Sequence, residues 1–442
     1  MKRRSLEQLA AELGAPAFDA RGVFIDRVGT DSRSARPGEL FVAVIGDSVD
    51  GNKYVESAIA NGASAVLTSR GDVSGVPRIQ CEDTLAALRD LAVIARNDIA
   101  VPVIAVTGSS GKTSTKDLLA GALPNAWASP RSFNNEVGVP LTILGAPEGI
   151  DYLVAEVGSR GRGHITYLMP AVRPDVSVIT NLGVVHLETF GTTDDLADAK
   201  YELIEGLSAS GTAVIPAGER RLHRSFPGRT ITFGTEASSD VHVGEVAIDD
   251  SGYPSFDLSA DGQRARVVLR VAGAHQALNA AAAVAAGIAV GVDLDTLVAG
   301  MRNAVGSAWR MEIHRGRFTV VNDAYNANPD SMEAALKTVA AMPGRHVAVL
   351  GMMAELGPVE VAEHERIGRL ADALGFASVI TVGDEPGIAR GAGSAARNVP
   401  DPEAAHDIVS QIVNDGDVVL VKASRAIGLE QLALQLAEEA TA

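Results

Sequence analysis

The sequence predicts an α/β protein of three domains, in which helices cover mostly parallel sheets. Short apolar runs alternate with segments of helical periodicity along most of the chain, which is the pattern of β-α-β units. A chain of 442 residues has room for two or three domains, and its 46% of hydrophobic residues supply their cores. We place the domains at residues 1–82, 83–309 and 310–442.

The first domain is predicted to be a small α/β unit. Residues 5–13 have the pattern of a capped helix that ends at Gly14. Leu40-Phe-Val-Ala-Val-Ile45 and Ala65-Val-Leu-Thr68 are predicted strands, with a helix over 54–61 between them. Polar loops flank these elements and are candidates for ligand contact.

The second domain is organised around residues 103–115, Val-Ile-Ala-Val-Thr-Gly-Ser-Ser-Gly-Lys-Thr-Ser-Thr. A buried strand, a glycine-containing loop and a helix start follow one another in the order of a phosphate-binding loop. Backbone N–H groups and the helix N-terminus would hold phosphate, Lys112 would reach the outer phosphates, and the Thr113 hydroxyl would hold Mg²⁺. Val106 stands where the usual pattern has its first glycine, and an ordinary turn before a helix is the alternative interpretation.

The alternation of strands and helices continues through this second domain. Strands are predicted at 152–157, 176–181 and 212–216, with a helix over 194–207, which implies a parallel sheet like that of P-loop ATPases. From about Ile231 to Val271 the pattern shortens and alternates between turns. We therefore expect a small antiparallel insertion there.

Three side chains of this domain could serve a nucleotide site. Glu156 ends one strand, where a carboxylate can hold Mg²⁺, although a cap or a salt bridge is an equally ordinary use. His186 follows the next strand and could ligate a second metal, although a lone loop histidine is more often incidental. Lys200 lies in a predicted helix and, taken alone, is most simply a solvated lysine.

The third domain begins after Arg310, where strands and helices alternate again as in a Rossmann-like, doubly wound sheet. Its predicted strands are 318–322, 346–350, 378–382 and 418–421, and its predicted helices are 331–341, 361–374, 402–413 and 429–439.

Charged and amide side chains border this third domain. Asn279 follows His275 by four residues, so both lie on one helix face, where the amide could read a purine edge or cap the helix. Arg310 and Asp323 flank the start of the domain, where an arginine suits phosphate and a surface ion pair is the alternative. Two cations and a hydroxyl follow the last strand and suit a substrate carboxylate; they are Lys422, Ser424 and Arg425.

Composition excludes several classes of function. With 38 Lys+Arg against 55 Asp+Glu the net charge is −17, which argues against general binding to nucleic acid or to a membrane surface. Cys81 is the only cysteine, so the chain has no intrachain disulfide and no cysteine-based zinc site. The N-terminus lacks an apolar signal core, and the longest apolar run, 280–292, is shorter than the ~20 residues of a membrane span. We expect a cytoplasmic protein.

Together these segments resemble the Mur ligases of peptidoglycan synthesis over essentially the whole chain. The resemblance depends on Thr107-Gly-Ser-Ser-Gly-Lys-Thr113, Asn181-Leu-Gly-Val-Val-His186, Gly273-Ala-His-Gln-Ala-Leu-Asn279 and Arg310. Four more stretches favour the member of the family whose acceptor is a dipeptide. They are Thr30-Asp-Ser-Arg33 with Pro37-Gly-Glu-Leu-Phe-Val-Ala43, Ser132-Phe-Asn-Asn-Glu-Val-Gly-Val-Pro-Leu-Thr142, Asp323-Ala-Tyr-Asn-Ala-Asn-Pro329 and Leu350-Gly-Met-Met-Ala-Glu-Leu-Gly357.

The resemblance implies an ATP-dependent amide ligase that adds D-alanyl-D-alanine to UDP-N-acetylmuramoyl-tripeptide, with Mg²⁺ as cofactor. ATP would phosphorylate the terminal carboxylate of the tripeptide, and the dipeptide amine would attack the acyl phosphate through a tetrahedral intermediate. The first domain would bind the UDP-sugar. We also expect the enzyme to be a monomer.

The resemblance further implies roles for individual residues. ATP would contact Thr107, Gly108, Ser109, Ser110, Gly111, Lys112, Thr113, Ser114, Asn279, Arg310 and Asp323. Metal would be held by Thr113, Glu156, His186 and Lys200, the lysine as a carbamate, and the catalytic residues would be Lys112, Lys200 and His186. The UDP-sugar-peptide and the dipeptide would meet Ser32, Arg33, Asn134, Asn135, Asn326, Lys422, Ser424 and Arg425.

The chain departs from the resemblance at Met352 and Ala423, where family members often have Asp and Gly. Two other interpretations fit part of the pattern. One is another Mur-type or folylpolyglutamate-type ligase that adds a single amino acid, although the first-domain stretch Asp31-Ser-Arg33 counts against a folate ligase. The other is a nucleotide-binding protein without ligation chemistry, against which the group formed by Glu156, His186 and Lys200 argues.

Overall fold

The computed structural model describes residues 1–46, 49–70, 73, 75–183, 187–385 and 387–441. Within these ranges the strands form three large sheets and one two-stranded ribbon. The predicted α/β class is confirmed, and each large sheet falls in a different one of the three predicted segments. The boundaries at residues 82 and 309 stay predictions.

The first sheet has five strands and lies in the N-terminal segment. Its order is β2-β7-β6-β5-β4, with β2 antiparallel at one edge and the other pairs parallel, while β1 and β3 form the ribbon. The strands are β1 (Arg4–Ser5), β2 (Ala17–Phe18), β3 (Phe24–Ile25), β4 (Arg27–Gly29), β5 (Glu39–Val42), β6 (Ala65–Thr68) and β7 (Arg78–Gln80). The helices are α1 (Leu6–Leu13), α2 (Val55–Ala60) and α3 (Thr84–Arg96).

Helix α1 shows how the sequence sets local structure here. The Ser5 hydroxyl accepts from the Gln8 N–H at 3.1 Å and the Gln8 amide oxygen accepts from the Ser5 N–H at 3.0 Å, which is a capping box. Gly14 closes the helix in the left-handed conformation, with φ 64°. The predicted helix start and stop are both confirmed.

The central sheet has nine strands in the order β16-β15-β14-β13-β12-β11-β8-β10-β9. The strands are β8 (Val103–Thr107), β9 (Ala126–Ala128), β10 (Tyr152–Glu156), β11 (Val176–Ile179), β12 (Thr212–Pro216), β13 (Arg229–Gly234), β14 (Val241–Ile248), β15 (Pro254–Ala260) and β16 (Gln263–Val268). The helices are α4 (Lys112–Ala122), α5 (Gly138–Leu144), α6 (His164–Val172), α7 (Leu187–Phe190), α8 (Thr193–Glu205), α9 (Gln276–Ala289) and α10 (Leu294–Met301).

The antiparallel part of this sheet is narrower than the sequence pattern suggests. Strand β13 pairs in parallel with β12, and β14 pairs in parallel with β13. Only β14, β15 and β16 are antiparallel to one another, and they extend the central sheet rather than form a separate one. The Ala-rich helix α9 is buried along Ala280–Ala286, because small side chains let it lie close to α4 and the sheet.

The C-terminal sheet has six strands in the order β17-β18-β22-β19-β20-β21, with β17 antiparallel at the edge. The strands are β17 (Glu312–Arg315), β18 (Thr319–Asn322), β19 (His346–Gly351), β20 (Ser378–Val382), β21 (Ala396–Val399) and β22 (Val418–Lys422). The helices are α11 (Pro329–Ala340), α12 (Glu360–Ala373), α13 (Ile388–Ala392), α14 (Pro402–Ile412) and α15 (Glu430–Thr441). Two separate apolar cores, one on each face, make the sheet doubly wound as predicted.

This topology brings the functional segments to one place. Strands β10, β8 and β11 are parallel neighbours, so their carboxyl ends meet at one edge of the central sheet. The carboxyl ends of β18, β22 and β19 meet in the same way in the C-terminal sheet. In the part of the chain that the structure describes, no helix has both the length and the apolar character that a membrane span requires.

Candidate active site

A cavity of about 460 Å³ lies between the carboxyl edge of the central sheet and the C-terminal sheet. It brings together most residues that the sequence predicts for the site. Those lining it are Ser109, Ser110, Gly111, Lys112, Thr113, Ser114, Asn134, Asn135, Glu156, Lys200, Asn279, Arg310, Asp323, Asn326 and Lys422. Thr107, fully buried, and Gly108 lie beneath this lining at the end of β8.

The loop between β8 and α4 has the backbone of a phosphate-binding loop. Gly108 and Gly111 adopt φ values of 148° and 77°. A Cβ at Gly108 would overlap the Thr180 hydroxyl and one at Gly111 would overlap the Asn279 amide oxygen, so both positions require glycine. Helix α4 begins directly after Gly111 without a side-chain cap, which leaves its first N–H groups available to an anion.

The Lys112 ammonium folds back over this loop. Its Nζ donates to the carbonyls of Gly108 at 2.8 Å and Ser109 at 3.2 Å. Burial lowers the pKa of Lys112, an effect that the nearby Glu156 carboxylate partly offsets. The cation therefore lies directly above the backbone that would cradle phosphates.

The segment after β11 supports the loop from the side. Asn181 Oδ1 accepts from the Ser110 N–H at 2.8 Å, Asn181 Nδ2 donates to the Ser110 hydroxyl at 2.6 Å, and the Asn181 carbonyl accepts from the Ser109 N–H at 3.1 Å. One asparagine thus fixes two residues of the loop. The predicted metal ligand His186, five residues further on, lies outside the described residues.

The Glu156 carboxylate offers a place for a cation. It is almost fully buried at the end of β10, and its Oε1 accepts from Asn134 Nδ2 at 2.7 Å. Its Oε2 is buried and has no hydrogen-bond partner among the described residues. A buried carboxylate oxygen without a donor, in the same cavity as the Thr113 hydroxyl, fits an oxygen-seeking ion such as Mg²⁺. Among the described residues no group of three or more His, Cys, Asp or Glu side chains is placed so that it could hold a metal ion, and Mg²⁺ commonly takes only one or two carboxylates from a protein.

Lys200 is buried rather than solvated, so the surface interpretation of this residue is wrong. Its side chain on α8 is about 1% exposed, and its Nζ lies 5.9 Å from the centre of the Phe190 ring. Within the described ranges its ammonium pairs with no carboxylate within 4 Å. Desolvation, together with the charge of Lys112, lowers the pKa of Lys200 well below its usual value. The surroundings of Lys200 therefore disfavour the charged form of its amine.

Asn279 faces the cavity from α9 and does not cap that helix. Its Nδ2 donates to Gln276 Oε1 at 2.9 Å, and its Oδ1 lies against Gly111. Burial lowers the pKa of the neighbouring His275 to about 4, so this imidazole is neutral at physiological pH. Neutral hydrogen-bonding groups of this kind suit a nucleoside better than a charged ligand.

Arg310 and Asp323 enter the site from the C-terminal side, and among the described residues neither is part of a surface ion pair. Arg310 Nη2 donates to the Ser132 hydroxyl at 3.1 Å, and the guanidinium lies 4.1 Å from the Tyr325 ring centre. Asp323 Oδ2 pairs with the buried Lys422 ammonium at 2.6 Å. Lys422 also donates to the Asn326 carbonyl at 2.9 Å. This lysine therefore fixes Asp323 in place.

Besides Thr107 and Gly108, four described residues that the sequence predicts for the site lie outside the cavity lining. Ser32 and Arg33 belong to the N-terminal segment, where Arg33 pairs with Asp31 at 2.8 Å on the surface. The Ser424 hydroxyl accepts from the Ala354 N–H at 2.8 Å and so supports the loop after β19. The Arg425 guanidinium lies 4.6 Å from the Trp309 ring centre and pairs with Glu430. Their roles in substrate binding stay predictions.

The two positions at which the chain departs from its resemblance have structural partners. Ala423 is fully buried, and its methyl group lies where a side chain at Gly351 would have to fit. The Met352 carbonyl accepts from the Ser424 N–H at 3.0 Å. Both positions therefore help to pack the loop after β19 against the end of β22.

Several cavity residues were missed in the sequence. Arg160 and His164 line the wall after β10, and His164 Nε2 lies 2.9 Å from a Glu136 carboxylate oxygen. Asp330 lines the opposite wall and contacts Gly183 across the domain boundary. The glycine-rich stretch Gly158–Gly163 was a usable signal for the first wall, because it follows a strand end.

Three family models match most of this chain. The model of the Mur ligase middle domain matches residues 106–287, that of the Mur ligase, glutamate ligase domain matches 309–425, and that of the Mur ligase family, catalytic domain matches 24–96. The UDP-N-acetylmuramoyl-tripeptide–D-alanyl-D-alanine ligase of Mycobacterium tuberculosis is 36% identical, over 93% of this chain and 92% of that protein.

Two solved structures are similar over nearly the whole chain. MurF from Acinetobacter baumannii superposes with a TM-score of 0.90 at 29% identity, covering 99% of both chains. MurF ligase from Thermotoga maritima, in complex with ADP, superposes with a TM-score of 0.83 at 29% identity, covering 93% of this chain and 97% of that one. Agreement of sequence, fold and domain models along almost the entire length establishes that the chain belongs to the Mur ligase family.

Proposed function

We propose that this protein is an ATP-dependent ligase that adds D-alanyl-D-alanine to UDP-N-acetylmuramoyl-tripeptide and produces the UDP-linked pentapeptide of peptidoglycan synthesis. One observation carries the proposal: Lys112, Glu156 and Lys200 from the central sheet and Arg310 and Asp323 from the C-terminal sheet line a single cavity. Relatives that are 36% and 33% identical in sequence, over 92% and 95% of their own length, bear the name of that activity.

The site suits activation of a carboxylate. A carboxylate is a poor acyl donor until one of its oxygens becomes a leaving group, and transfer of the γ-phosphoryl group of ATP achieves this. The phosphate-binding loop and Lys112 hold the phosphates, while Arg310 brings a second cation from the opposite wall. The neutral dipeptide amine then attacks the acyl phosphate: the C–N bond forms, the nitrogen loses a proton, the C–O bond to phosphate breaks, and phosphate leaves with the electron pair.

Thr113, Glu156 and a carbamate on Lys200 would hold Mg²⁺, and His186 would be a ligand of a second ion. When bound, Mg²⁺ would neutralise part of the negative charge on the phosphoryl group during its transfer. The carbamate forms when the Lys200 amine, after losing a proton, attacks CO₂: the N–C bond forms, the electron pair of one C=O π bond moves to oxygen, and the nitrogen releases a second proton. The modification converts a buried cation into an anion, which would account for a lysine that has no acidic partner among the described residues and lines the same cavity as Glu156 and Lys112.

The other predicted ligands complete the proposal. The N-terminal segment, with Ser32 and Arg33, would bind the UDP-sugar, and Asn135 with Asn326 would contact the peptide. Ser424 and Arg425 would border the dipeptide from the C-terminal sheet. Because the reaction consumes ATP, we place the enzyme in the cytoplasm, and we expect it to act as a monomer.

The decisive experiment measures ATP-dependent phosphate release with UDP-N-acetylmuramoyl-tripeptide, carrying either meso-diaminopimelate or lysine as third residue. The acceptor is D-alanyl-D-alanine or, in parallel, free D-alanine, D-glutamate, L-lysine or meso-diaminopimelate. We expect release, and a product of the ligated mass, only with the dipeptide. Release with a free amino acid would indicate a ligase that adds a single amino acid, and silence with every acceptor despite ATP binding would indicate a protein without ligation chemistry.

A further inference from the structure

A short segment before α5, residues 129–135, contacts both residues that would hold the first Mg²⁺. The Ser132 hydroxyl lies 3.2 Å from the Thr113 hydroxyl. Two residues later, Asn134 Nδ2 donates to Glu156 Oε1 at 2.7 Å. The same Ser132 hydroxyl accepts from Arg310 Nη2 at 3.1 Å, so the segment also contacts the cation from the C-terminal sheet.

The contact with Asn134 makes the two Glu156 oxygens different: one accepts a hydrogen bond, and the other is left without a donor among the described residues. Because Oε1 accepts from the amide, the carboxylate cannot rotate freely, and Oε2 remains buried without a donor. A carboxylate held in this way presents one oxygen to a cation in a fixed direction. Partners of this kind behind a metal ligand set its orientation and its basicity.

The 129–135 segment is itself rigidly held. The Lys116 ammonium, about 2% exposed, donates to the carbonyls of Ser129 and Arg131, each at 2.9 Å. The Ser129 hydroxyl accepts from the Glu156 N–H at 2.9 Å, and the Asn134 carbonyl accepts from the Gly158 N–H at 2.7 Å. The segment is therefore fastened to α4 on one side and to the end of β10 on the other, and these elements carry Thr113 and Glu156.

We propose that Ser132 and Asn134 are positioning residues that hold the Thr113 hydroxyl and the Glu156 carboxylate in the arrangement that receives Mg²⁺. Asn134 then acts on the metal ligand, in place of the contact with the sugar-peptide that its sequence context suggests. This role presupposes the proposed ATP-dependent reaction. The test therefore includes metal binding as a readout that does not depend on ligation.

The experiment compares Ser132→Ala, Asn134→Ala and the conservative Ser132→Thr in the full-length chain. Binding of Mn²⁺ in the presence of ADP is measured by the loss of the free-ion signal in electron paramagnetic resonance. We expect both alanine variants to bind Mn²⁺ about 10–100-fold more weakly, and Ser132→Thr to bind like the wild type because it keeps the hydroxyl. In steady-state assays, excess Mg²⁺ should restore kcat while KM for the UDP-sugar-tripeptide stays unchanged.

Arg131→Asn is the matched control on the same segment. The Arg131 side chain is exposed, and its φ of 48° is one that asparagine tolerates. This variant should match the wild type in every readout, and thermal unfolding of each variant confirms that it is folded. Unchanged Mn²⁺ affinity in Asn134→Ala, with a raised KM for the UDP-sugar-tripeptide, would overturn the proposal and return Asn134 to substrate binding. A wild type that ligates nothing would refute the proposed reaction, whereas the Mn²⁺ readout would still decide the positioning role.

Discussion

At the scale of single residues, Lys200 is where function and stability oppose each other. Its ammonium is buried beside Phe190 and near a second lysine, Lys112, and within the described ranges no acidic side chain pairs with it. A charge taken out of water without a partner costs free energy, so such a lysine lowers stability unless chemistry changes it. Carbamylation would remove the cation and provide an anion for Mg²⁺.

We therefore predict that protein equilibrated with ¹³C-bicarbonate shows a carbamate carbonyl resonance, and that Lys200→Met lacks this resonance. The methionine variant should lose ligase activity, yet in CO₂-depleted buffer its free energy of unfolding should rise by about 1–4 kcal/mol, because an apolar side chain replaces a buried charge. Nuclear magnetic resonance and urea denaturation measure the two effects. An equal carbamate signal in both proteins would refute the modification, and a destabilised methionine variant would refute the account of burial.

At the scale of elements, the phosphate-binding loop depends on the segment that follows β11. Asn181 fixes Ser109 and Ser110 through three hydrogen bonds, two of which use its side chain. A loop whose N–H groups are already oriented binds phosphate without an additional ordering cost. The conformation of the loop is thus a property of two neighbouring strands together.

Replacing Asn181 by alanine should weaken ADP binding about tenfold. The variant loses the side-chain hydrogen bonds that orient the loop, which are worth about 1 kcal/mol or more, so ADP binding must then order the loop. Isothermal titration with ADP measures this change. Asn97→Ala, which removes an amide that accepts from Arg173 on the surface at 2.8 Å, is the control and should bind ADP normally. Equal ADP affinity in both variants would show that the loop holds its conformation without Asn181.

The same elements show why part of the site could be predicted from sequence. The phosphate-binding loop is continuous along the chain, so the sequence motif formed by its strand, its glycines, Lys112 and Thr113 is enough to predict phosphate binding. The burial of Lys200 could not be predicted, because Phe190 and the surrounding sheet provide it. Likewise, the partner of Asn134 is a side chain 22 residues away, brought close by the pairing of parallel strands. The predicted antiparallel insertion, Ile231 to Val271, wrongly included β13, which pairs in parallel with both of its neighbours. The alternation of residues that indicates a strand does not show whether the neighbouring strand is parallel or antiparallel.

At the scale of the whole molecule, a short and strained linker, residues 307–311, connects the central domain to the C-terminal sheet. The Asp117 carboxylate accepts from the N–H and the hydroxyl of Ser307, at 3.0 and 2.6 Å, which fastens the linker to α4. Trp309 and Met311, on either side of Arg310, have φ values of 62° and 51°. Two non-glycine residues in the left-handed region store conformational energy that a change in domain orientation could release.

We predict that nucleotide draws the C-terminal domain towards the central one, because its phosphates would be shared between Lys112 and Arg310. Small-angle scattering should show a smaller radius of gyration with Mg²⁺ and a non-hydrolysable ATP analogue than without ligand. Trp309 fluorescence in a Trp127→Phe background should change in parallel, since Trp309 lies in the linker and the chain has only 2 tryptophans. Arg310→Ala should reduce both changes, whereas Arg317→Ala, at an exposed arginine of the same domain, should leave them intact. Arg310 contacts Ser132 of the central domain in this structure, so the structure has the domain arrangement that nucleotide would favour. Scattering that is identical with and without the analogue would mean that the domains do not move on binding.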